Sequence, residues 1–275
     1  MLLLQRPSGT WDPPAGRLCA GEGFEDGAVR ELYEETGLLV APRRILATWV
    51  GEAPSGDLLA AVTFIGRTPD RDIDLSDEHL GYRWVTLEEW LELPSWWSKE
   101  NIRRVAGSLS LLPQEPLSEP PPPQPHGVDG TVHANLGAGT VLVDLGGDEP
   151  RALLLRRRKP PVGLWENPGG MLEPGEDFVA CARRETIEET SLDAEPALAW
   201  WARVERWRGP EDEELYAGVG FLARSPGGEV GIENTAHDTY IWATEREWRS
   251  LRTWYTEREL DALWDAVRAL GAWRR

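Results

Sequence analysis

Hydrophobic and polar positions follow the same order in the two halves of the chain. In each half a short apolar run, at residues 2–5 and 152–155, predicts a strand. A loop rich in Gly and Pro comes next, and an amphipathic helix, further strands and a terminal helix follow it. This alternation of strands and helices favours an α/β or α+β sandwich in each half.

The two halves also match residue by residue, at an offset of 154 to 158 positions. The dipeptide Trp11-Asp12 pairs with Trp165-Glu166, and further matches continue into the last part of each half. We therefore interpret the chain as a duplication. The proline-rich segment between the halves is typical of a semi-rigid linker. These features predict a first domain over 1–112, a linker over 113–127 and a second domain over 128–275.

The second repeat carries one apolar segment more than the first. Residues 139–144 precede its first matched strand, and the first repeat has no room for an equivalent. We therefore expect the first repeat to lack its N-terminal strand, unless the natural chain begins upstream of Met1 or another segment fills that edge. An unpaired sheet edge would favour aggregation.

Composition and charge exclude several classes of protein. With 41% hydrophobic residues and 15 Trp, the 275-residue chain can build packed cores, which excludes an intrinsically disordered protein. No apolar run approaches the roughly 20 residues that cross a bilayer. A net charge of −18 argues against nucleic acids and anionic membranes as partners. Two cysteines and the lack of a secretory signal pattern favour a cytoplasmic protein, whereas the oligomeric state stays open.

A triplet of glutamates on the first amphipathic helix is the main chemical signal. Glu31, Glu34 and Glu35 are spaced i, i+3, i+4, which places their carboxylates on one helix face, about 5–6 Å apart. Two such charges repel by roughly 3 kcal/mol at an effective dielectric constant of about 20. A hard divalent cation, Mg²⁺ or Mn²⁺, would offset this repulsion. Taken alone, the triplet is also compatible with a solvated acidic helix face.

The residues around the triplet extend it into a longer motif. Positions from Gly16 to Leu38 fit the pattern G-x(5)-E-x(7)-R-E-U-x-E-E-x-G-U, where U is aliphatic. On this motif the chain resembles the Nudix hydrolases. The second repeat carries matching residues at Gly170, Glu176, Arg184, Glu185, Glu188, Glu189 and Leu192. It departs from the pattern at Thr186, where an aliphatic residue is usual, and at Ser191, where glycine is usual.

The resemblance implies a Nudix fold in each repeat, which is an α+β arrangement with a mixed sheet between helices (an α/β/α sandwich). It also implies a metal site with carboxylates and one backbone carbonyl as ligands of Mg²⁺ or Mn²⁺. The implied metal ligands are Gly16, Glu31, Glu34 and Glu35 in the first repeat and Gly170, Glu185, Glu188 and Glu189 in the second. The implied catalytic residues are Glu31 and Glu185, their neighbours Arg30 and Arg184, and the loop residue Glu78.

By the same resemblance, the expected reaction is hydrolysis of a phosphoanhydride in a nucleoside diphosphate linked to another group. A nucleoside triphosphate, a dinucleoside polyphosphate, and a nucleotide sugar or ADP-ribose all stay open as substrates. Trp49 and Trp200 are candidates for stacking on the nucleobase, with core packing as the competing interpretation. His79 and His237 align, and we expect them to be hydrogen-bonding partners of carboxylates rather than metal ligands.

Two alternatives to a pair of equivalent hydrolase sites remain. In the first, one repeat binds nucleotide or serves the structure without catalysis. The second repeat is the better candidate for this role, because Ala236 stands where the first repeat has Glu78. In the second alternative, the chain is a Nudix-fold isomerase that acts on an isoprenoid diphosphate.

Overall fold

The chain divides into two units in the computed structural model, which describes residues 1–52, 58–109, 133–208 and 213–272. One unit comprises Met1–Ala47 and Val62–His133, and the other comprises Thr48–Ala61 and Ala134–Arg275. The predicted linker over 113–127 and both predicted domain boundaries lie outside the described residues. None of the helices in the described ranges combines the length and the apolar character that a membrane span requires.

The first repeat forms two small sheets and three helices from its described residues. Its elements are β1 (Leu2–Gln5), β2 (Trp11–Asp12), α1 (Phe24–Thr36), β3 (Arg44–Glu52), β4 (Leu58–Ile65), β5 (Gly81–Trp84), α2 (Leu87–Glu92) and α3 (Lys99–Leu109). β1 pairs antiparallel with β2 on one side and with β5 on the other. β3 pairs with β4 in a separate sheet. The core contains Leu3, Trp11, Trp90, Ile102 and Val105.

The second repeat forms one seven-stranded mixed sheet. Its elements are β6 (Asn135–Asp144), β7 (Arg151–Arg157), β8 (Trp165–Glu166), β9 (Gly169–Met171), α4 (Phe178–Thr190), β10 (Leu198–Arg208), β11 (Glu213–Arg224), β12 (His237–Ala243), α5 (Glu245–Ser250) and α6 (Glu257–Ala272). The strand order is β10-β11-β6-β7-β12, with β8 paired to β7 and β9 paired to β6. β6 runs parallel to β11 and antiparallel to β7.

Both faces of this sheet are buried, which explains the continuous apolar run in β7. Leu154 packs on one face with Trp248 of α5 and Leu263 of α6. Leu153 and Leu155 pack on the other face, in the cluster that contains residues from the loops after α4 and β11. Because successive side chains of a strand point to opposite faces, one short strand supplies both cores.

The described residues of the first repeat contain no counterpart of β6, and the loss of an N-terminal strand from this repeat stays a prediction. β6 lies in the interior of the second sheet, between β11 and β7. In the first repeat the corresponding strand pairs, β3–β4 and β1–β5, accordingly belong to separate sheets. The order of the strands along the sequence did not reveal the interior position of β6, because the first strand of a mixed sheet need not lie at its edge.

The same helix cap follows the last strand of both repeats. The Thr86 hydroxyl accepts a hydrogen bond from the N–H of Glu89, whose carboxylate accepts one from the N–H of Thr86. Thr244 and Glu247 form the same capping box at the start of α5. Such a reciprocal cap satisfies two N–H groups that a helix start leaves unpaired. The similarity of the repeats therefore extends to local hydrogen bonding.

Candidate active site

The motif glutamates of each repeat lie on one helix, α1 or α4. The N–H of Ala180 donates to the Asp177 side chain at the start of α4, at 2.8 Å. Both helices end at a residue with left-handed backbone geometry, Gly37 with φ 71° and Ser191 with φ 59°. Ser191 therefore closes α4 in the same way as Gly37 closes α1, and its departure from the motif does not change where the helix ends.

One arginine links the acidic side chains of each motif. Arg30 is buried, and its guanidinium donates to three carboxylates: Glu22 at 2.6 Å, Glu31 at 2.8 Å and Glu34 at 3.0 Å. The guanidinium of Arg184 donates to the three equivalent carboxylates: Glu176 at 2.8 Å, Glu185 at 2.7 Å and Glu188 at 3.1 Å. These hydrogen bonds lower the pKa of Glu22 and of Glu176. The structure thus supplies a positive charge that partly offsets the repulsion expected within each triplet.

The third glutamate of each triplet binds the loop before the helix. The N–H of Ala15 donates to Glu35 Oε2 at 3.0 Å, and the N–H of Gly169 donates to Glu189 Oε2 at 3.0 Å. Burial raises the pKa of both carboxyl groups to about 7, although these N–H groups act in the opposite direction. The surroundings of Glu35 and of Glu189 therefore disfavour the ionised form.

Gly16 and Gly170 leave space for the first glutamate of each triplet. A Cβ atom at Gly16 would lie 1.9 Å from Cδ of Glu31, and a Cβ atom at Gly170 would lie 2.3 Å from Oε1 of Glu185. A side chain at either position would collide with the carboxylate, so that only glycine permits this approach. Burial also raises the pKa of Glu31 and of Glu185.

The chemistry of these side chains suits a hard divalent ion, because carboxylate and carbonyl oxygens are the ligands that Mg²⁺ and Mn²⁺ prefer. The glycine positions also bring backbone close to one carboxylate in each repeat. In the described part of the chain, however, no group of three or more Asp, Glu, His and Cys side chains is arranged to hold a metal ion. Arg30 and Arg184 instead bond two of the three glutamates in each triplet. Only the chemistry of the donor atoms thus fits a hard divalent ion, and the individual ligands stay predictions.

A cavity of about 350 Å³ lies beside Glu35 in the first repeat. Glu78 and His79 line it, together with Ala15 and with Arg6 at the end of β1. Besides burial, the negative charge of Glu78 raises the pKa of Glu35, and the positive charge of Arg6 lowers it. The structure thus brings the predicted loop carboxylate and one motif glutamate to the same cavity. Sequence reasoning missed Arg6, whose signal is an equivalent arginine, Arg157, at the end of β7.

The equivalent loop of the second repeat has Ala236 at the position of Glu78. Glu233, a few residues earlier, accepts hydrogen bonds from the Thr235 hydroxyl and from the N–H groups of Thr235 and Ala236. These hydrogen bonds, first of all the one from the Thr235 side chain, lower the pKa of Glu233. Glu233 is therefore engaged within its own loop.

Each repeat places a histidine against its third glutamate. His79 Nε2 lies 3.4 Å from Glu35 Oε1, and His237 Nδ1 lies 3.7 Å from Glu189 Oε1. His237 also hydrogen-bonds Glu166 through Nε2 at 3.1 Å, so it is a hydrogen-bonding partner of a carboxylate, as predicted. Sequence reasoning missed Glu166. Its signal is the duplicated dipeptide, in which Glu166 replaces Asp12.

The two tryptophans predicted to stack on a base have different surroundings. Trp49 on β3 is 48% exposed. Trp200 on β10 packs against Tyr255, with 5.5 Å between the ring centroids, and joins the core beneath α5 and α6. Core packing therefore accounts for at least part of the role of Trp200, and base stacking stays a prediction for both residues.

Comparison with known proteins places nucleotide hydrolases among the similar chains. An octanoyltransferase of Myxococcus xanthus is 38% identical over 112 residues, which cover 38% of this chain and 31% of that protein. An asymmetrical bis(5'-nucleosyl)-tetraphosphatase of Rattus norvegicus is 34% identical over 103 residues, which cover 34% of this chain and 67% of that protein. A crystal structure of a C. elegans Ap4A hydrolase binary complex is 21% identical and has a TM-score of 0.42, over 49% of this chain and 98% of that chain. The match to the octanoyltransferase thus spans less than a third of that protein.

The family comparison covers most of the chain. The model described as the NUDIX domain matches residues 1–105 and, separately, residues 134–271. The resemblance found in the sequence is thereby confirmed, as is the expected fold class, an α+β Nudix fold with a mixed sheet. With both of its repeats matched, the chain belongs to the NUDIX domain family.

Proposed function

We propose that the chain is a metal-dependent Nudix hydrolase that cleaves a phosphoanhydride bond in a nucleoside diphosphate linked to another group. The observation that carries this proposal is the arginine-centred cluster, which both repeats contain with the same partners. A solvated acidic helix face needs no buried arginine and no glycine gap beside a carboxylate. The cluster has both features, with Arg30 and Gly16 in the first repeat.

Mg²⁺ or Mn²⁺ is the proposed cofactor. Its proposed ligands are the glutamate triplet of each repeat and the carbonyl of Gly16 or Gly170. When bound, such an ion neutralises phosphate oxygens and lowers the pKa of a bound water. Glu31 and Glu34, which now accept hydrogen bonds from Arg30, would hold the ion, and Arg30 would keep its partner Glu22. Glu35, whose pKa burial raises to about 7, ionises more readily when positive charge approaches it.

Two carboxylates are alternative candidates for the general base that takes the proton from the attacking water in the first repeat. Glu31 is the first, because its carboxylate lies in the gap that Gly16 leaves. Glu78 is the second, because it lines the cavity that also contains Glu35. Arg6 lines this cavity too, and its positive charge favours a phosphate chain there in a protein whose net charge is −18.

A dinucleoside polyphosphate is the substrate we propose to test first. The support is the similarity to the Rattus norvegicus protein, whose name describes cleavage of a bis(5'-nucleosyl) tetraphosphate. Nucleoside triphosphates, nucleotide sugars and ADP-ribose belong to the same panel, because they share the phosphoanhydride. An isoprenoid diphosphate isomerase is the alternative that product analysis separates, since it would release no phosphate or nucleoside monophosphate.

A division of roles between the repeats is the second candidate function. The observation that favours it is the loop of the second repeat, where Ala236 replaces Glu78 and Glu233 is engaged elsewhere. In this alternative the second repeat binds nucleotide, or stabilises the chain, without turnover.

We also propose the predicted domain boundaries, with the first domain ending at 112 and the second beginning at 128. Their support is that the two family matches end at 105 and resume at 134. A cytoplasmic location is proposed because two cysteines cannot form a disulfide framework.

The test is turnover of the substrate panel with Mg²⁺ and Mn²⁺ by four forms of the full chain. These are the wild type, E34Q, E188Q and the double variant. If both repeats are catalytic, each single variant loses part of the turnover. The double variant then loses about 100-fold, as expected when a metal ligand is removed from each site. If the second repeat is silent, E188Q retains full turnover and E34Q loses it. Undiminished turnover in the double variant would exclude both sites.

A further inference from the structure

An arginine, a tryptophan and a carboxylate lie together in both repeats. In the second repeat the guanidinium of Arg157 lies over the ring of Trp254, 5.6 Å from the ring centroid. Arg157 Nη1 donates to both oxygens of Glu166 at 2.8 and 2.9 Å, and Trp254 Nε1 donates to Oε2 at 2.8 Å. Arg157 Nη2 donates to the carbonyl of Pro160 at 3.0 Å. The members of this trio are therefore hydrogen-bonded to one another.

The equivalent trio of the first repeat, Arg6, Trp96 and Asp12, is arranged differently. The guanidinium of Arg6 again lies over the tryptophan ring, 5.8 Å from its centroid. Asp12, however, accepts from the backbone N–H of Trp96 at 2.9 Å and from the Ser95 hydroxyl at 2.7 Å. Arg6 Nε lies 3.5 Å from Oδ2 of Asp12, which has no hydrogen-bond partner among the described residues. Trp96 is 74% exposed, and the Arg6 side chain is 37% exposed.

This exposed pair lies beside the cavity of the first repeat. Arg6 lines the cavity of about 350 Å³ that Glu35 and Glu78 also line, and the proposed function places the phosphate chain of the substrate there. A nucleotide joins its phosphate chain to a planar base. Aromatic side chains bind such bases by stacking, and guanidinium groups bind phosphate oxygens. The indole and the guanidinium of the first repeat are thus adjacent and suit the two ends of a nucleotide.

We propose that Trp96 stacks on a nucleobase of the substrate in the first repeat, while Arg6 contacts its phosphates. This inference rests on the proposed function, because it takes the cavity as the place of the phosphate chain. Trp96 differs from Trp49, the candidate named from the sequence, in lying against an arginine that lines the cavity. Trp254 is only partly exposed and bonds Glu166, so we assign it no base.

The first test is ¹⁹F nuclear magnetic resonance of the full chain labelled with 5-fluorotryptophan, in the presence of Mg²⁺. The resonance that is missing from W96F identifies Trp96. The two probes are adenosine 5'-(α,β-methylene)triphosphate and inorganic tripolyphosphate, which have the same number of phosphates but differ in the base. We expect the nucleotide to shift the Trp96 resonance through the ring current of the base, and tripolyphosphate to shift it much less.

The second test is the turnover of diadenosine tetraphosphate by chains that carry E188Q, so that the first repeat is measured. We expect W96L to raise KM by about 10-fold or more and to leave kcat unchanged, because stacking binds the substrate without acting on the reacting atoms. W96F keeps an aromatic ring and should restore most of the lost affinity. The matched control is Y82L, because Tyr82 on β5 is also exposed, at 42%, and does not line the cavity.

Three results would overturn the inference. They are equal shifts of the Trp96 resonance by the two probes, a shift that depends on protein concentration instead of nucleotide, and a KM that W96L leaves unchanged or that Y82L raises equally. The concentration-dependent shift would assign the ring to a contact between two copies of the chain. A nucleotide-specific shift in a chain that turns over no substrate of the panel would support the base site and overturn the proposed hydrolysis, so the two failures are distinguishable.

Discussion

Replacing Gly16 by alanine places a methyl carbon against the carboxylate of Glu31. The added Cβ would lie 1.9 Å from Cδ of Glu31, whereas carbon atoms in contact are normally separated by about 3.5–4.0 Å. The carboxylate must therefore move by about 1.5 Å. It is the far end of a flexible side chain, so the backbone need not shift. The hydrogen bond from Arg30 to Glu31, at 2.8 Å, is lost in the movement.

We expect this variant to lose about 100-fold in activity and to remain folded, with a net loss of folding free energy below about 3 kcal/mol. Misplacing a reacting group by about 1 Å costs on the order of 100-fold in rate, equivalent to about 2.7 kcal/mol. The loss of one hydrogen bond to a charged group costs about 1.5–3 kcal/mol of folding free energy. Alanine offsets part of this by about 0.4–1 kcal/mol, because it restricts the unfolded chain. The assay is turnover of the best substrate by G16A in an E188Q chain, compared with E188Q alone, together with thermal unfolding.

The controls separate the collision from a general effect of alanine. G81A adds a Cβ whose nearest neighbouring atom is 3.7 Å away, and we expect it to leave turnover and stability unchanged. G170A in an E34Q chain repeats the experiment in the second repeat, where the Cβ would lie 2.3 Å from Glu185. Full turnover by G16A in the E188Q background would refute the argument that the Glu31 carboxylate must occupy this gap.

Three further predictions concern stability, pH and the loop carboxylate. S191G should raise the free energy of unfolding by about 0.5–1 kcal/mol, because glycine adopts φ 59° with less strain than serine. G37S should lower the free energy of unfolding by at least a similar amount, and thermal unfolding of both variants measures these changes. The Arg30 hydrogen bond lowers the pKa of Glu22 below its ordinary value, so this stabilisation is present above the ordinary pKa and is lost as pH falls through the pKa of the folded state. E22Q should therefore flatten the acid limb of a urea-stability curve, and an equal loss for E22Q at pH values of about 3 and 7 would contradict this. E78Q, with the second repeat inactivated, should lower kcat by about 10²-fold if Glu78 is the base, and unchanged kcat would assign that role elsewhere.

The helices of the site could be predicted from sequence because their signals are local. Spacing i, i+3, i+4 fixes which side chains share a helix face, and α1 and α4 carry the glutamates as expected. The pairing of Arg30 with Glu31 and Glu34 also follows from short separations along one helix. The match between repeats predicted equivalent sites, and both show the same hydrogen bonds around the arginine.

Contacts between residues distant in sequence could not be predicted in the same way. His237 meets Glu166 because β12 and β8 both pair with β7, and no local pattern records that arrangement. Arg6 lies at the end of β1 and lines the cavity beside Glu35, and no local pattern records this proximity either. The interior position of β6 was also missed, because hydrophobicity marks a buried strand without indicating its neighbours.

The place of β6 sets the order in which the second repeat can fold. This strand pairs in parallel with residues near the far end of the repeat, from Asn135 against Tyr216 to Val143 against Arg224. Pairings between such distant segments close slowly, because the intervening chain loses entropy before the contacts form. During synthesis, the hairpin of β6 and β7 must therefore wait for β11 to leave the ribosome. Until then, one edge of β6 is exposed to chaperones and to other nascent chains.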